Sequence, residues 1–193
     1  MDLIPRILAK TIAKNQKKGQ INVIYGPRQV GKTTLLRQLV QDLPPKDLLW
    51  LNGDLKETNL LLSQPSLAQL TNLVSNYQVI VIDEAQRITN IGLILKILID
   101  HFPEKIFYVS GSSSLTLARG IQEPLTGRTQ KYHLFPLSIN ELGYQLPQHQ
   151  RVTLLEESLV FGGYPYLTKL KTPKEKINYL YSCLLYTSPS PRD

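Results

Sequence analysis

Apolar residues in this chain fall into short dense runs that alternate with stretches of helical spacing. Ile21-Asn22-Val23-Ile24-Tyr25 is a brief apolar run bounded by glycine, the pattern of a buried strand. Leu35, Leu36, Leu39, Val40 and Leu43 then recur at helical spacing until Pro44-Pro45 stops the helix. Leu48 to Asn52 reads as a second strand, with two short helical stretches after it, around 57–62 and 66–75. Val79-Ile80-Val81-Ile82 is four branched apolar residues in a row, as in a strand buried on both faces. Residues 91–102 read as a helix capped by Asn90, Ile106 to Val109 as a fourth strand, and Lys131 to Phe135 as a fifth. Strands alternating with helices predict an α/β fold with a parallel sheet covered on both faces. Beyond Pro136 the pattern is helical. Ser138 with Glu141, Thr153 with Glu156 and Thr172 with Glu175 each fit a reciprocal helix cap, the last with Pro173 at the first helical position.

The turn between the first strand and first long helix holds the most specific chemistry. Gly26-Pro27-Arg28-Gln29-Val30-Gly31-Lys32-Thr33-Thr34 matches the phosphate-binding pattern G-x-x-x-x-G-K-S/T. Glycine lets backbone N–H groups converge on a polyphosphate, Lys32 supplies a mobile charge, and the Thr33 hydroxyl can ligate Mg²⁺. The phosphates would sit at a helix N-terminus, where free N–H groups and the dipole favour anions. The third strand ends in Asp83-Glu84, which the carboxyl-edge rule for open α/β sheets brings to the same crevice as Lys32. Asp83 suits the Mg²⁺ position and Glu84 the polarisation of an attacking water. Two acids opening a solvated loop is the plainer alternative.

Three further groups are weaker candidates. Ser110 and Ser112, on the polar tip after the fourth strand, can meet the attacking water or the γ-phosphate, and Ser112 equally fits a helix cap. Arg128, just before the fifth strand, can stabilise charge on a transferred phosphoryl group, including one on a neighbouring subunit, or form a surface ion pair. His101, His133 and His149 lack metal-ligand spacing.

Bulk properties narrow the class. The 193 residues, 42% of them hydrophobic, suffice for one full core. No apolar run approaches the roughly 20 residues that cross a bilayer, and no signal core is evident, so a soluble cytoplasmic protein is expected. The net charge of +7 is densest at Arg6, Lys10, Lys14, Lys17 and Lys18. There an amphipathic helix with a solvated basic face is the favoured reading, over a nucleic-acid contact. The tail Cys183–Asp193 reads as the translation of a widely used transposon-type sequencing adapter, so native sequence is expected to stop near Ser182. That would leave no native cysteine for disulfides or catalysis.

The blocks Gly26–Thr34, Ile82-Asp83-Glu84-Ala85-Gln86, Ser110-Gly111-Ser112-Ser113, Leu125-Thr126-Gly127-Arg128 and Phe135-Pro136-Leu137-Ser138 resemble prokaryotic predicted ATPases of the AAA+ superfamily. Gly162-Gly163-Tyr164-Pro165 is similar to the glycine-proline segment of the same family. The resemblance covers about residues 1 to 170. It implies a P-loop sheet of order 5-1-4-3-2 with helices on both faces. It carries Lys32, Thr33, Asp83 and Glu84 onto nucleotide and hydrolysis positions, with ATP and Mg²⁺ as ligands. The implied organisation is an ATPase core over 1–135 and the start of a helical C-terminal region over 136–182. Members commonly continue into a further domain, so helices from Ser138 onward are expected to expose an apolar face. A homo-oligomer and a DNA or protein load are compatible with this reading, and no membrane partner is. Two other readings stand beside an ATPase that couples hydrolysis to conformational change: a non-hydrolysing nucleotide-gated interaction module, and a helicase fragment.

Overall fold

A computed structural model describes residues 3–111, 125, 127–144 and 146–185. Its elements run α1 (Ile7–Asn15), β1 (Ile21–Tyr25), α2 (Lys32–Val40), β2 (Leu48–Asn52), α3 (Lys56–Leu61), α4 (Leu67–Val74), β3 (Val79–Asp83), α5 (Ile91–His101), β4 (Ile106–Gly111), β5 (Thr129–His133), α6 (Ile139–Leu142), α7 (Gln148–Phe161) and α8 (Pro173–Leu185). The five strands form one sheet of order β2-β3-β4-β1-β5, every pair parallel. That is the expected 5-1-4-3-2 order read from the opposite edge.

The chain forms two compact units, residues 8–26 with 32–134, and residues 1–7, 27–31 and 135–193. The first contains the sheet. β1 and β3 are buried at every residue, Asn22 and Asp83 included, whereas edge strands β2 and β5 are only partly buried. Ile21 and Val23 of β1, Ile80 and Ile82 of β3 and Phe107 and Val109 of β4 point to one face. They share a core there with Leu70 and Val74 of α4 and Ile94, Leu95 and Leu98 of α5. The alternate residues Ile24, Val81 and Tyr108 are buried too, as are Ile12 of α1 and Leu35 and Leu36 of α2. Each such fully buried Leu or Ile contributes about 1.5–3 kcal/mol. Lys105 closes the far edge, its ammonium donating to Ser75 O at 3.1 Å and to Tyr77 O, so the carbonyls ending α4 meet a cation.

Four expectations need correction. β5 lies two residues earlier than the apolar pattern placed it, because Ile21 N donates to Arg128 O and Leu134 N to Tyr25 O, pinning the register to β1. Leu134 is buried beyond the strand, and Phe135 is exposed. Asn90 holds the cap position of α5 in the left-handed region (φ +54°), where its side chain makes no cap bond; its carbonyl instead accepts from Leu93 N and Ile94 N. Thr153 caps nothing, since α7 already starts at Gln148 after Pro147. The basic stripe from Arg6 to Lys17 is not one helix face: α1 spans only Ile7–Asn15, and Arg6 is buried while Lys10, Lys14 and Lys17 are exposed.

In the second unit the caps at Ser138–Glu141 and Thr172–Glu175 form as expected. The hydrogen bonds from Thr172 hold the Glu175 carboxyl below its ordinary pKa. Gly163 packs on the backbone after β5, where an added Cβ would lie 2.1 Å from Leu137 O. Val152, Leu159 and Val160 of α7 and Tyr181 of α8 are exposed.

Candidate functional site

β1, β3 and β4 are parallel, so their carboxyl ends open on one edge of the sheet, and each continues there into a polar segment. From β1 the chain enters the phosphate-pattern loop. Gln29 has φ +60° and Gly31 φ +99°, with Val30 buried between them. Alternating backbone hand of this kind turns successive N–H groups toward one concave side, which is how backbone binds anions. Gly31 tolerates its φ because it has no Cβ. Arg28 and Gln29 face solvent. Lys32 opens α2, is buried, and donates from Nζ to Gly26 O at 3.0 Å, so its ammonium lies back beside the start of the loop.

Asp83, the last residue of β3, is 2% exposed. Its Oδ2 accepts from Thr33 Oγ1 at 2.7 Å, while Oδ1 accepts from Glu84 N at 3.2 Å and from the Ser110 hydroxyl. Ser110 Oγ in turn accepts from Glu84 N at 3.2 Å. The ends of β3 and β4 and the start of α2 are thereby joined through one carboxylate. Because Thr33 spends its proton on Asp83, its oxygen keeps its lone pairs for a cation. A hydroxyl beside a fixed carboxylate fits Mg²⁺, which takes few protein ligands and completes its shell with phosphate and water. Among the described residues no group of three or more His, Cys, Asp or Glu gathers as a self-contained metal site.

Glu84 follows in the left-handed region (φ +52°), uncommon for a residue with a long side chain and found most often at functional turns. Its carboxylate accepts from the Gln86 amide. What holds this turn is Gly53, after β2: Gly53 N donates to Asp83 O at 2.8 Å, and a Cβ there would lie 2.3 Å from Glu84 O. In the sequence Gly53 marks only the end of the second strand; its contact with Glu84 comes from the pairing of β2 with β3.

The structure thus brings Thr33, Asp83, Glu84 and Ser110 together, with Lys32 adjacent in the chain. Ser110 is fully buried and its hydroxyl donates to Asp83. Ser112 lies outside the described residues. Arg128 is elsewhere: it precedes β5 at the amino edge of the sheet, and the length of β1, about 13 Å, separates that edge from the carboxyl ends. There it pairs with Asp100 of α5.

In the other unit the loop has a partner that sequence reading placed on a solvated helix face. Arg6 Nη1 donates to Val30 O at 3.3 Å, Nη2 donates to Phe135 O, and Nε lies 3.2 Å from Glu141 Oε1. Burial draws the Arg6 guanidinium below its ordinary pKa, and the Glu141 charge opposes that.

A parallel sheet of this order with such a loop and acidic strand end defines a P-loop nucleoside-triphosphatase fold. The model of an AAA domain family matches residues 18–143, and the chain belongs to that family. It is therefore an ATP-binding P-loop protein of the AAA ATPase class. An uncharacterized protein of Mycobacterium tuberculosis is 31% identical over 140 residues, 72% of this chain and 30% of the relative. One of Methanocaldococcus jannaschii is 28% identical over 162 residues, 77% of this chain and 36% of the relative. The chain thus spans about a third of these relatives' length. Among solved structures, the Walker-type ATPase PABY2304 of Pyrococcus abyssi superposes with a TM-score of 0.60 at 17% identity, over 96% of this chain and 74% of that one. A signal-transduction ATPase with a tetratricopeptide repeat sensor from Pyrococcus horikoshii gives 0.54 at 13% identity, over 94% and 32%. At such identities the superpositions speak for the fold.

Proposed function

We propose that the chain hydrolyses ATP with Mg²⁺ and uses the cycle to change conformation. The observation that carries this is the Thr33–Asp83 hydrogen bond of 2.7 Å, which links the phosphate loop's hydroxyl to the acidic strand end. In this reading the backbone N–H groups of the loop from Arg28 to Thr34 bind the phosphates, and Lys32 leaves Gly26 O to place its charge on the outer ones. Thr33 and Asp83 hold the metal. Held there, Mg²⁺ would supply neutralisation of the phosphate charge. Ser110 fixes Asp83 in one orientation. Glu84 releases Gln86 to polarise the attacking water, with its backbone held by Gly53 and Asp83. Ser112 keeps its proposed place near the γ-phosphate. Arg128, a strand's length from this edge, serves a nucleotide only on a neighbouring copy, so a homo-oligomer belongs to the proposal.

The Glu84–Gln86 contact favours one second reading. A carboxylate kept on Gln86 activates no water, and the chain is then a nucleotide-gated interaction module whose ATP state selects a partner. Steady-state phosphate release from the wild type, Lys32→Ala, Glu84→Gln and Arg128→Ala separates the two. Hydrolysis predicts turnover abolished in the first two variants, with a 10²-fold fall or more in Glu84→Gln on the order expected for a lost base. Wild-type turnover per chain should rise with protein concentration and that of Arg128→Ala should stay low and flat. Equal phosphate release in wild type and Glu84→Gln overturns the hydrolytic assignment, and concentration-independent wild-type turnover overturns the role of Arg128.

A further inference from the structure

Arg6 is a cation with 5% exposure, and Glu141, its ion-pair partner, has 7%. Burying such a pair holds a fold together no better than a well-packed apolar pair would, because desolvation consumes most of the attraction. What a guanidinium adds is direction: a planar fork with fixed N–H vectors. Here the fork points at two backbone carbonyls, Val30 O in the phosphate loop and Phe135 O after β5. The carboxylate behind it is itself held. Glu141 Oε1 accepts from Ile7 N at 2.8 Å, and Oε2 accepts from Ser138 N at 2.9 Å and Ser138 Oγ at 3.2 Å. Glu141 therefore cannot swing, and neither can the guanidinium paired with it.

The consequence falls on one peptide plane. In a trans peptide the C=O of one residue and the N–H of the next point in opposite directions. Pinning the Val30 carbonyl to Arg6 turns the Gly31 N–H to the other side of the loop. The glycine at φ +99° permits that orientation, and the guanidinium selects it.

We propose that Arg6, oriented by Glu141, is a positioning residue of the phosphate loop that aims the Gly31 N–H at the bound phosphate. This rests on the reading of the loop as a nucleotide site. It makes the segment before α1 and the turn at α6 parts of the binding apparatus, although neither meets the nucleotide in the proposal.

The test is the Kd of the purified chain for a fluorescent ATP analogue with Mg²⁺, in wild type, Arg6→Lys and Glu141→Gln, with amide exchange at Gly31 measured without nucleotide. Arg6→Lys keeps the charge and loses the fork. The expected result is a Kd roughly tenfold higher (about 1.4 kcal/mol) at unchanged stoichiometry, with faster Gly31 exchange. A residue that merely supports the fold would lower the bound stoichiometry and leave Kd alone, and that outcome overturns the proposal. If Arg6→Lys does not fold, Glu141→Gln decides: a Kd raised roughly threefold supports positioning, and a wild-type Kd overturns it. If wild type binds no analogue, the nucleotide reading fails by itself. Gly31 exchange then still reports on the loop, and equal rates in wild type and variant overturn the positioning role.

Discussion

Asp83 illustrates how a single residue carries both structure and chemistry. Its carboxylate accepts from the Thr33 and Ser110 hydroxyls and the Glu84 amide while 2% exposed, and these three donors fix its orientation. Gly53 guards that arrangement from behind, since its missing side chain leaves room for the Glu84 carbonyl. Gly53→Ala should push the Asp83–Glu84 turn outward, destabilising the chain by about 1–3 kcal/mol. ATP turnover at a temperature where the variant is folded should fall at least tenfold, on the order of 1.4 kcal/mol in the barrier. Thermal unfolding together with phosphate release checks this, and a variant with full turnover would show that the turn tolerates displacement. Residues of this kind differ in how legible they are. Lys32, Thr33, Asp83 and Glu84 stand out as candidates because the chemistry proposed for them needs fixed residue types at fixed spacing. Arg6 does not, because its burial depends on Val30 and Phe135 acceptors that lie 24 and 129 positions away.

At the scale of elements, β1 to β4 were readable because each is an apolar run ended by a glycine or a polar residue. β5 was misplaced since its own residues, Thr129 to His133, are mostly polar, and only pairing with β1 makes them a strand. Caps followed the same logic. Ser138 and Thr172 precede free helix N-termini and work, whereas Thr153 sits where N–H groups are already taken by the helix begun at Gln148. The Ser66–Gln69 cap at the start of α4 went unread, although it has the same spacing. Ser138 also steadies the carboxylate that holds Arg6. Ser138→Ala is expected to cost about 1 kcal/mol of stability through the lost cap, measured by thermal unfolding. Its Kd for nucleotide should rise modestly in the same direction as Arg6→Lys. An unchanged melting midpoint would contradict the cap's contribution.

For the whole molecule, the sheet order and the loop at its carboxyl edge define the class, and the matched family model spans residues 18–143. Among the described residues no helix is long and apolar enough to cross a membrane. Several apolar residues of α7 and α8, Val152, Leu159, Val160 and Tyr181 among them, are exposed. A phosphate loop defines the ligand class and carries no information about a load, which is why the class of the fold was legible and any partner was not. The central claim is that Gly26 to Thr34 hold a nucleotide, and calorimetric titration of Mg²⁺·ATP into wild type and Lys32→Ala tests it most directly. One saturable site per chain is expected in the wild type, and its loss in Lys32→Ala. Equal heats in the two proteins, or no binding to the wild type, would contradict it.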